Sequence, residues 1–127
     1  MIEEIHTPKA PAPAGHYSQA IRHRGLLYVS GQLPIDPQTG EKKLGSIEEQ
    51  TLQVLNNLDE ILRAAGSARS QVLKTTVYVS DISQWGAVNT VYSKFFGEHR
   101  PARAVVPTRV LHYGFGIELE AVAVVPD

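Results

Sequence analysis

Residues 101–125 read PARAVVPTRVLHYGFGIELEAVAVV, and the fold turns on how this stretch is paired. It opens with Pro101-Ala102-Arg103 and the apolar run Ala104-Val105-Val106. It breaks at His112-Tyr113-Gly114-Phe115-Gly116 and returns as Ile117-Glu118-Leu119-Glu120-Ala121-Val122-Ala123-Val124-Val125. Two β-rich runs around a glycine-bearing break predict an antiparallel hairpin. Strand side chains alternate, so Ile117, Leu119, Ala121, Ala123 and Val125 share one face, and Glu118, Glu120, Val122 and Val124 the other. The second face is apolar along its inner half, which predicts a cover, yet it begins with two carboxylates about 7 Å apart. A carboxylate beside an apolar surface needs a cation or hydrogen-bond donors. Arg103, at the start of the neighbouring run, is the candidate. Such a pair is either a structural ion pair or a site for a small acid, and this stretch alone favours the structural reading.

The chain has 127 residues, 43% apolar and 20% charged, which suits one domain with an ordinary core. Residues 1–127 are read as a single domain. A net charge of −1 leaves no electrostatic footprint for nucleic acid or an anionic membrane surface. The absence of cysteine excludes disulfides, thiolate metal sites and a cysteine nucleophile together. No apolar run reaches the length of a membrane span, and Met1-Ile2-Glu3-Glu4 lacks a signal-peptide pattern, so the expected location is cytoplasmic.

Upstream, residues 2–6 read as a short edge strand, and Pro8, Pro11 and Pro13 hold the next segment extended. Ala20–His23 and Leu26–Gln32 read as strands joined by a tight turn at Arg24-Gly25. Gly31 interrupts the second strand beside Ser30; a plain bulge and a site are equally good readings of it. Ser46-Ile47-Glu48-Glu49 has the spacing of a capping box. Leu52, Leu55, Leu58, Ile61, Leu62 and Ala65 follow at helical spacing up to Gly66, predicting a helix about 28 Å long. Asn56 and Asn57 on it are assigned to structure. Val72–Val79 reads as a strand. A second helix, capped by Asp81 or Ser83, carries the stripe Trp85, Val88, Tyr92, Phe95 and Phe96, with Asn89 beside it and Gly97 as its stop. The predicted class is α+β, with both helices on one face of the sheet. Tyr28, Val77, Val122 and Val124 make the other face too apolar for solvent, and covering it with copies of the chain predicts a homo-oligomer.

Phosphate-loop, HExxH and GxSxG patterns are missing, and the five histidines (6, 16, 23, 99, 112) have no metal-ligand spacing. A site without metal or cofactor is expected. Five segments, taken in order, carry a resemblance over nearly the whole chain. They are Gly15-His16-Tyr17-Ser18-Gln19-Ala20, Val29-Ser30-Gly31-Gln32, Val88-Asn89-Thr90-Val91-Tyr92, Pro101-Ala102-Arg103 and Ile117-Glu118-Leu119-Glu120-Ala121. Together they resemble the RidA/YjgF family of reactive-intermediate deaminases, which also goes by the name L-PSP endoribonuclease. The resemblance implies a chorismate-mutase-like fold with a mixed sheet, a homotrimer with clefts between subunits, and hydrolysis of 2-imino acids to 2-oxo acids and ammonia. It places the family's functional positions on Tyr17, Ser30, Gly31, Asn89, Arg103 and Glu118. Val105 stands where the family often has cysteine, a position that acts mainly through its backbone, and His16 stands where proline is usual.

On this reading Arg103 takes the substrate carboxylate, Glu118 orients or activates water, and Tyr17 covers the pocket or packs beside it. Ser30 and Asn89 support the site, backbone near Gly31 and Val105 holds water or the imine nitrogen, and Glu120 is an ion-pair partner. A non-catalytic binder of small acids would use the same arginine. The ribonuclease reading lacks a basic stripe or an aromatic platform.

Overall fold

The computed structural model describes residues 1–126. Six strands, β1 (Glu3–Ile5), β2 (Ala20–His23), β3 (Leu26–Gln32), β4 (Val72–Val79), β5 (Ala102–Pro107) and β6 (Ile117–Val124), form one sheet in the order β1-β2-β3-β6-β4-β5. Two α-helices, α1 (Ile47–Ala64) and α2 (Trp85–Phe96), and three short 3-10 turns complete the regular structure among the described residues. Every neighbouring pair of strands is antiparallel except β4 and β5, so the sheet is mixed. The architecture is α+β, as expected.

Local chemistry explains most of the element ends. Arg24 and Gly25 take φ of 52° and 78°, the two positive values that a two-residue hairpin turn matched to strand twist requires. The Ser46 hydroxyl accepts the Glu49 N–H at 3.2 Å and opens α1. Gly66, at φ 79°, closes α1: its N–H bonds the Arg63 carbonyl, and the Ser67 N–H bonds that of Leu62. Asp81 accepts from the Ser83 N–H and starts the short 3-10 turn that leads into α2. Val54, Leu55, Leu58, Ile61 and Leu62 of α1 pack with Val88, Tyr92 and Phe96 of α2 on the strand residues Leu27, Val29, Val77, Ile117 and Leu119. Each such full burial stabilises the fold by about 1.5–3 kcal/mol.

Three expectations are corrected. Residues 102–107 and 117–124 are not a hairpin: β6 lies between β3 and β4, and β5 pairs with the far edge of β4, parallel to it. A parallel pair needs a long crossover, and α2 supplies it. The more completely buried strand takes the interior place. Ile117, Leu119, Ala121 and Ala123 are at most 4% exposed, whereas no residue of β5 is fully buried. Val77 belongs to the core and not to the open face, because an irregularity between Val72 and Lys74 shifts the alternation of β4. Thr76 and Tyr78 face outward instead. Leu52 is 50% exposed, since Thr51 and Val54 fill the turn of α1 that meets the core. Tyr28, Val122 and Val124 do lie on the open face, with Tyr28 half exposed.

Asn57 links α1 to the long loop after β3. Its side-chain N–H groups donate to the Leu33 and Ile35 carbonyls at 3.1 and 3.0 Å, and its oxygen accepts from Gln53. Asn56, one position on, is exposed. Asn57→Ala should therefore lower the unfolding free energy by about 1–3 kcal/mol, while Asn56→Ala changes it by no more than about 0.5 kcal/mol. Urea melts of the two variants check the contrast.

Candidate functional site

A cavity of about 570 Å³ lies against the open side of β3 and β6, and Tyr17, Ser30, Gly31, Glu118 and Tyr113 line it. Its outer wall is the proline-rich segment before β2, which has no strand partner of its own. Gln19, 2% exposed, replaces that partner. Its oxygen accepts the Thr7 N–H at 2.7 Å, and its amide N–H groups donate to the carbonyls of Thr7, Ala10 and Pro11. Ser30 seals the lower end, its hydroxyl donating to the Ser18 carbonyl at 2.6 Å and its N–H to that of Gln19. Tyr17 is thereby presented on a wall fixed at both ends, with about half its surface open.

Gly31 answers the question its strand position raised. It sits in a bulge, where Val29 pairs with Ala121 and Gln32 with Leu119, so Ser30 and Gly31 of β3 stand against the single residue Glu120 of β6. The Glu118 carboxylate occupies the space a Cβ at position 31 would need. The bulge and the site are thus one feature. Burial pushes the Glu118 pKa upward and neighbouring Glu120 adds to this, while His112 pulls it down. Among the described residues no donor reaches the Glu118 carboxylate. Glu120 is not an ion-pair partner, as expected above, but accepts the Tyr78 hydroxyl at 2.6 Å. That hydrogen bond is the main cause of the raised Tyr78 pKa.

Arg103 is elsewhere. It pairs across the strands with Thr75, which is fully buried, so it emerges on the helix-bearing side of the sheet, whereas Glu118 pairs with Tyr78 on the open side. Its guanidinium lies over the rings of Trp85 and Tyr92, 4.5 and 4.8 Å from their centroids, and donates to Asn89 Oδ1 at 3.0 Å. Tyr92 is itself anchored to Thr75, oxygen to oxygen, at 2.7 Å. Arg103 lines a second cavity of about 420 Å³ with Ser93, His99 and Arg100. Val105 follows on the same side, opposite Val77.

The predicted site residues therefore fall into two groups within one chain. Tyr17, Ser30, Gly31 and Glu118 share the first cavity; Asn89 and Arg103 are in contact, with Val105 two residues along the strand. The expectation that Arg103 balances Glu118 or Glu120 within one chain is overturned, because β5 lies at the sheet edge and not beside β6. Sequence reasoning passed over Gln19, Trp85 and Tyr113. Only Gln19 and Trp85 had a signal, lying inside a marked motif and a marked stripe.

The raised Glu118 pKa fixes the sign of a stability effect. A buried acid favours folding most below the usual glutamate value of 4.5, and the advantage is lost as pH rises through the higher folded value. Glu118→Gln removes that titration. The variant should be more stable than the parent at pH 7, with the gap closing below pH 4.5. Chemical denaturation at both pH values checks it, and a gap independent of pH contradicts it.

The family described as Endoribonuclease L-PSP matches residues 7–125. A RutC family protein of Pyrococcus horikoshii is 47% identical over 123 residues, 97% of this chain and 98% of that one. A protein of Rattus norvegicus named 2-iminobutanoate/2-iminopropanoate deaminase is 46% identical over 120 residues, covering 94% of this chain and 88% of the relative. A crystal structure of E. coli TdcF with bound serine superposes with a TM-score of 0.92 at 34% identity, covering 96% of this chain and 98% of that one. With the fold, the motif positions and these relatives in agreement, the chain belongs to the L-PSP endoribonuclease family, the RidA/YjgF proteins.

Proposed function

We propose that this protein hydrolyses short 2-imino acids, such as 2-iminopropanoate and 2-iminobutanoate, to 2-oxo acids and ammonia, in clefts formed between copies of the chain in a homotrimer. The observation that carries the reading is a mismatch within the single chain. Among the described residues, the oriented Arg103 guanidinium bonds no carboxylate, and the partly buried Glu118 carboxylate is bonded by no cation, with only His112 near enough to act on it through its charge. A head-to-tail ring sets the Arg103 group of one subunit against the Glu118 group of the next, and each interface then completes one site. The β5 edge and the open sheet face are the surfaces available for it, with Val106 and Tyr28 exposed on them. The deaminase name of the rat relative supports the reaction, and the serine held by E. coli TdcF is a small molecule with the same carboxylate.

The chemistry asks little of the protein. Arg103, held flat by two rings and Asn89, offers its free N–H edge to the substrate carboxylate. Water adds to the imine carbon while Glu118 takes its proton, and a raised pKa suits a group that must accept and return one near neutral pH. Glu118 returns that proton to nitrogen to give the carbinolamine, then takes the hydroxyl proton and delivers it to nitrogen as the C–N bond breaks, so ammonia leaves and the C=O bond forms. Imino acid and water thus become oxo acid and ammonia. Tyr17 screens the pocket, while Ser30 and Gly31 keep its wall and its acid in place.

Arg103→Ala should lower kcat/KM for 2-iminobutanoate at least about a hundredfold, since an unanchored substrate loses its alignment. The assembly should stay intact on size exclusion; full activity in this variant removes the mechanism. Retained binding of a 2-oxo acid with no turnover in the parent would instead identify a binding protein. Co-expressed Arg103→Ala and Glu118→Gln chains, each inactive alone, should regain activity, because about a quarter of all clefts in randomly assembled rings carry both intact groups. Mixed assemblies that stay inactive show that the two groups do not act across an interface.

A further inference from the structure

Gln50, near the start of α1, is 7% exposed, yet both ends of its amide engage backbone outside the helix. Its oxygen accepts the Gly116 N–H at 2.8 Å, 66 residues along the chain, and its side-chain N–H donates to the Gly45 carbonyl at 3.1 Å. A buried amide bonded at both ends fixes the segments it joins, since parting from either leaves a polar group unpaired. Both segments belong to the first cavity. Residues 33–45 bring Leu33 and Ile35 to its wall, and the turn before Gly116 brings His112 and Tyr113. The two stretches also meet in front of Gln50, where Lys42 lies over the Tyr113 ring at 4.7 Å from its centroid.

Gly116 is where this hold reaches the chemistry. Its carbonyl accepts the Ser80 N–H at 3.1 Å, so Gln50 and Ser80 grip both backbone groups of one residue. A side chain there would run into Ile47 and crowd the Gln50 oxygen, so the close approach of α1 depends on glycine. Before Gly116, the Phe115 N–H bonds the His112 carbonyl at 3.0 Å and Phe115 is buried, which makes the rim turn one unit. After it, Glu118 stands two residues on, about 7 Å along β6. No donor among the described residues reaches the Glu118 carboxylate, so the β6 backbone and the room left at Gly31 place that group.

We infer that Gln50 is a positioning residue for the reaction: by holding Gly116 it sets where Glu118 and the rim turn stand relative to the imine carbon and its attacking water. This rests on the deaminase reading and adds to that site a residue that stands outside the cavity. Arg103 lies on another segment and keeps its grip on the substrate carboxylate when Gln50 is changed. The loss therefore falls on kcat and leaves KM nearly alone, because a displaced proton carrier spoils alignment and not binding.

The test compares two substitutions. Gln50→Met keeps the length and loses both hydrogen bonds, whereas Gln50→Glu keeps an acceptor for Gly116 and loses the donor to Gly45. With 2-iminobutanoate, Gln50→Met should lower kcat about tenfold or more and change KM less than about threefold. Gln50→Glu should stay within about threefold of the parent in both. In amide hydrogen exchange followed by NMR, protection at Gly116 should fall in the Met variant and persist in the Glu variant. A purely structural Gln50 affects both variants alike, since both lose the bond to Gly45, and equal losses of kcat overturn the inference. Parental kcat in Gln50→Met overturns it too, as does a change confined to KM. Should Gln50→Met not fold, Gln50→Glu decides alone: kcat must follow Gly116 protection, and a kcat lost under full protection overturns the inference. A parent inactive on every short imine removes the deaminase reading itself, and this inference with it.

Discussion

Strand β6 pairs with β3 on one side and β4 on the other, and the rest of the structure depends on that double pairing. A strand hydrogen-bonded along both edges cannot slip by one residue without turning its whole apolar set toward solvent. Ile117, Leu119, Ala121 and Ala123 are therefore committed to the helices, and Glu118 and Glu120 to the opposite side. The acids are where they are because the core requires their neighbours. Gly31 then completes the arrangement from the adjacent strand, since its bulge and missing side chain leave room for one carboxylate.

The electrostatics follow from this geometry. Of the two acids, Glu120 is satisfied by a phenol within its own chain, and Glu118 is not. An acid half withdrawn from water with no donor rises in pKa, which makes it a poor structural element and a good proton carrier. Arg103 shows the converse. Two aromatic faces and one amide hold it in orientation without neutralising it, so its charge remains available. Each group lacks what the other has, and the sheet keeps them on opposite sides. The proposed ring assembly resolves both deficits at one interface and covers the open face of the sheet as well.

Much of the fold was legible because it is written in local chemistry. Strands at 20–23, 26–32 and 72–79, the turn at Arg24-Gly25, the Ser46 cap and the Gly66 stop all occur at the residues whose φ preferences and hydrogen-bonding groups demand them. The hairpin of residues 101–125 failed for a different reason. Neighbouring β runs suggest direct pairing, but the exposed run became an edge and the buried one went to the middle, a competition between distant strands that no short window contains. Val77 and Leu52 were misplaced at a similar scale, by a bulge in one case and by a helix leaning on a sheet in the other. Arg103 was expected beside Glu118 on a neighbouring strand, and within one chain it is not, because that depends on strand order.

The sequence by itself determined the element types, the alternation that sets Glu118 and Glu120 apart from the core, and the family, since these rest on periodicity, turn chemistry and short motifs. Only the tertiary structure decided that Arg103 and Glu118 stand on opposite sides of one sheet and that Gly31 is shaped around an acid. The physical reason is the range of the forces. Backbone preferences act over a few residues, whereas pairing order, cavity shape and the burial that moves a pKa are set by groups far apart in the chain and fixed only when the core closes.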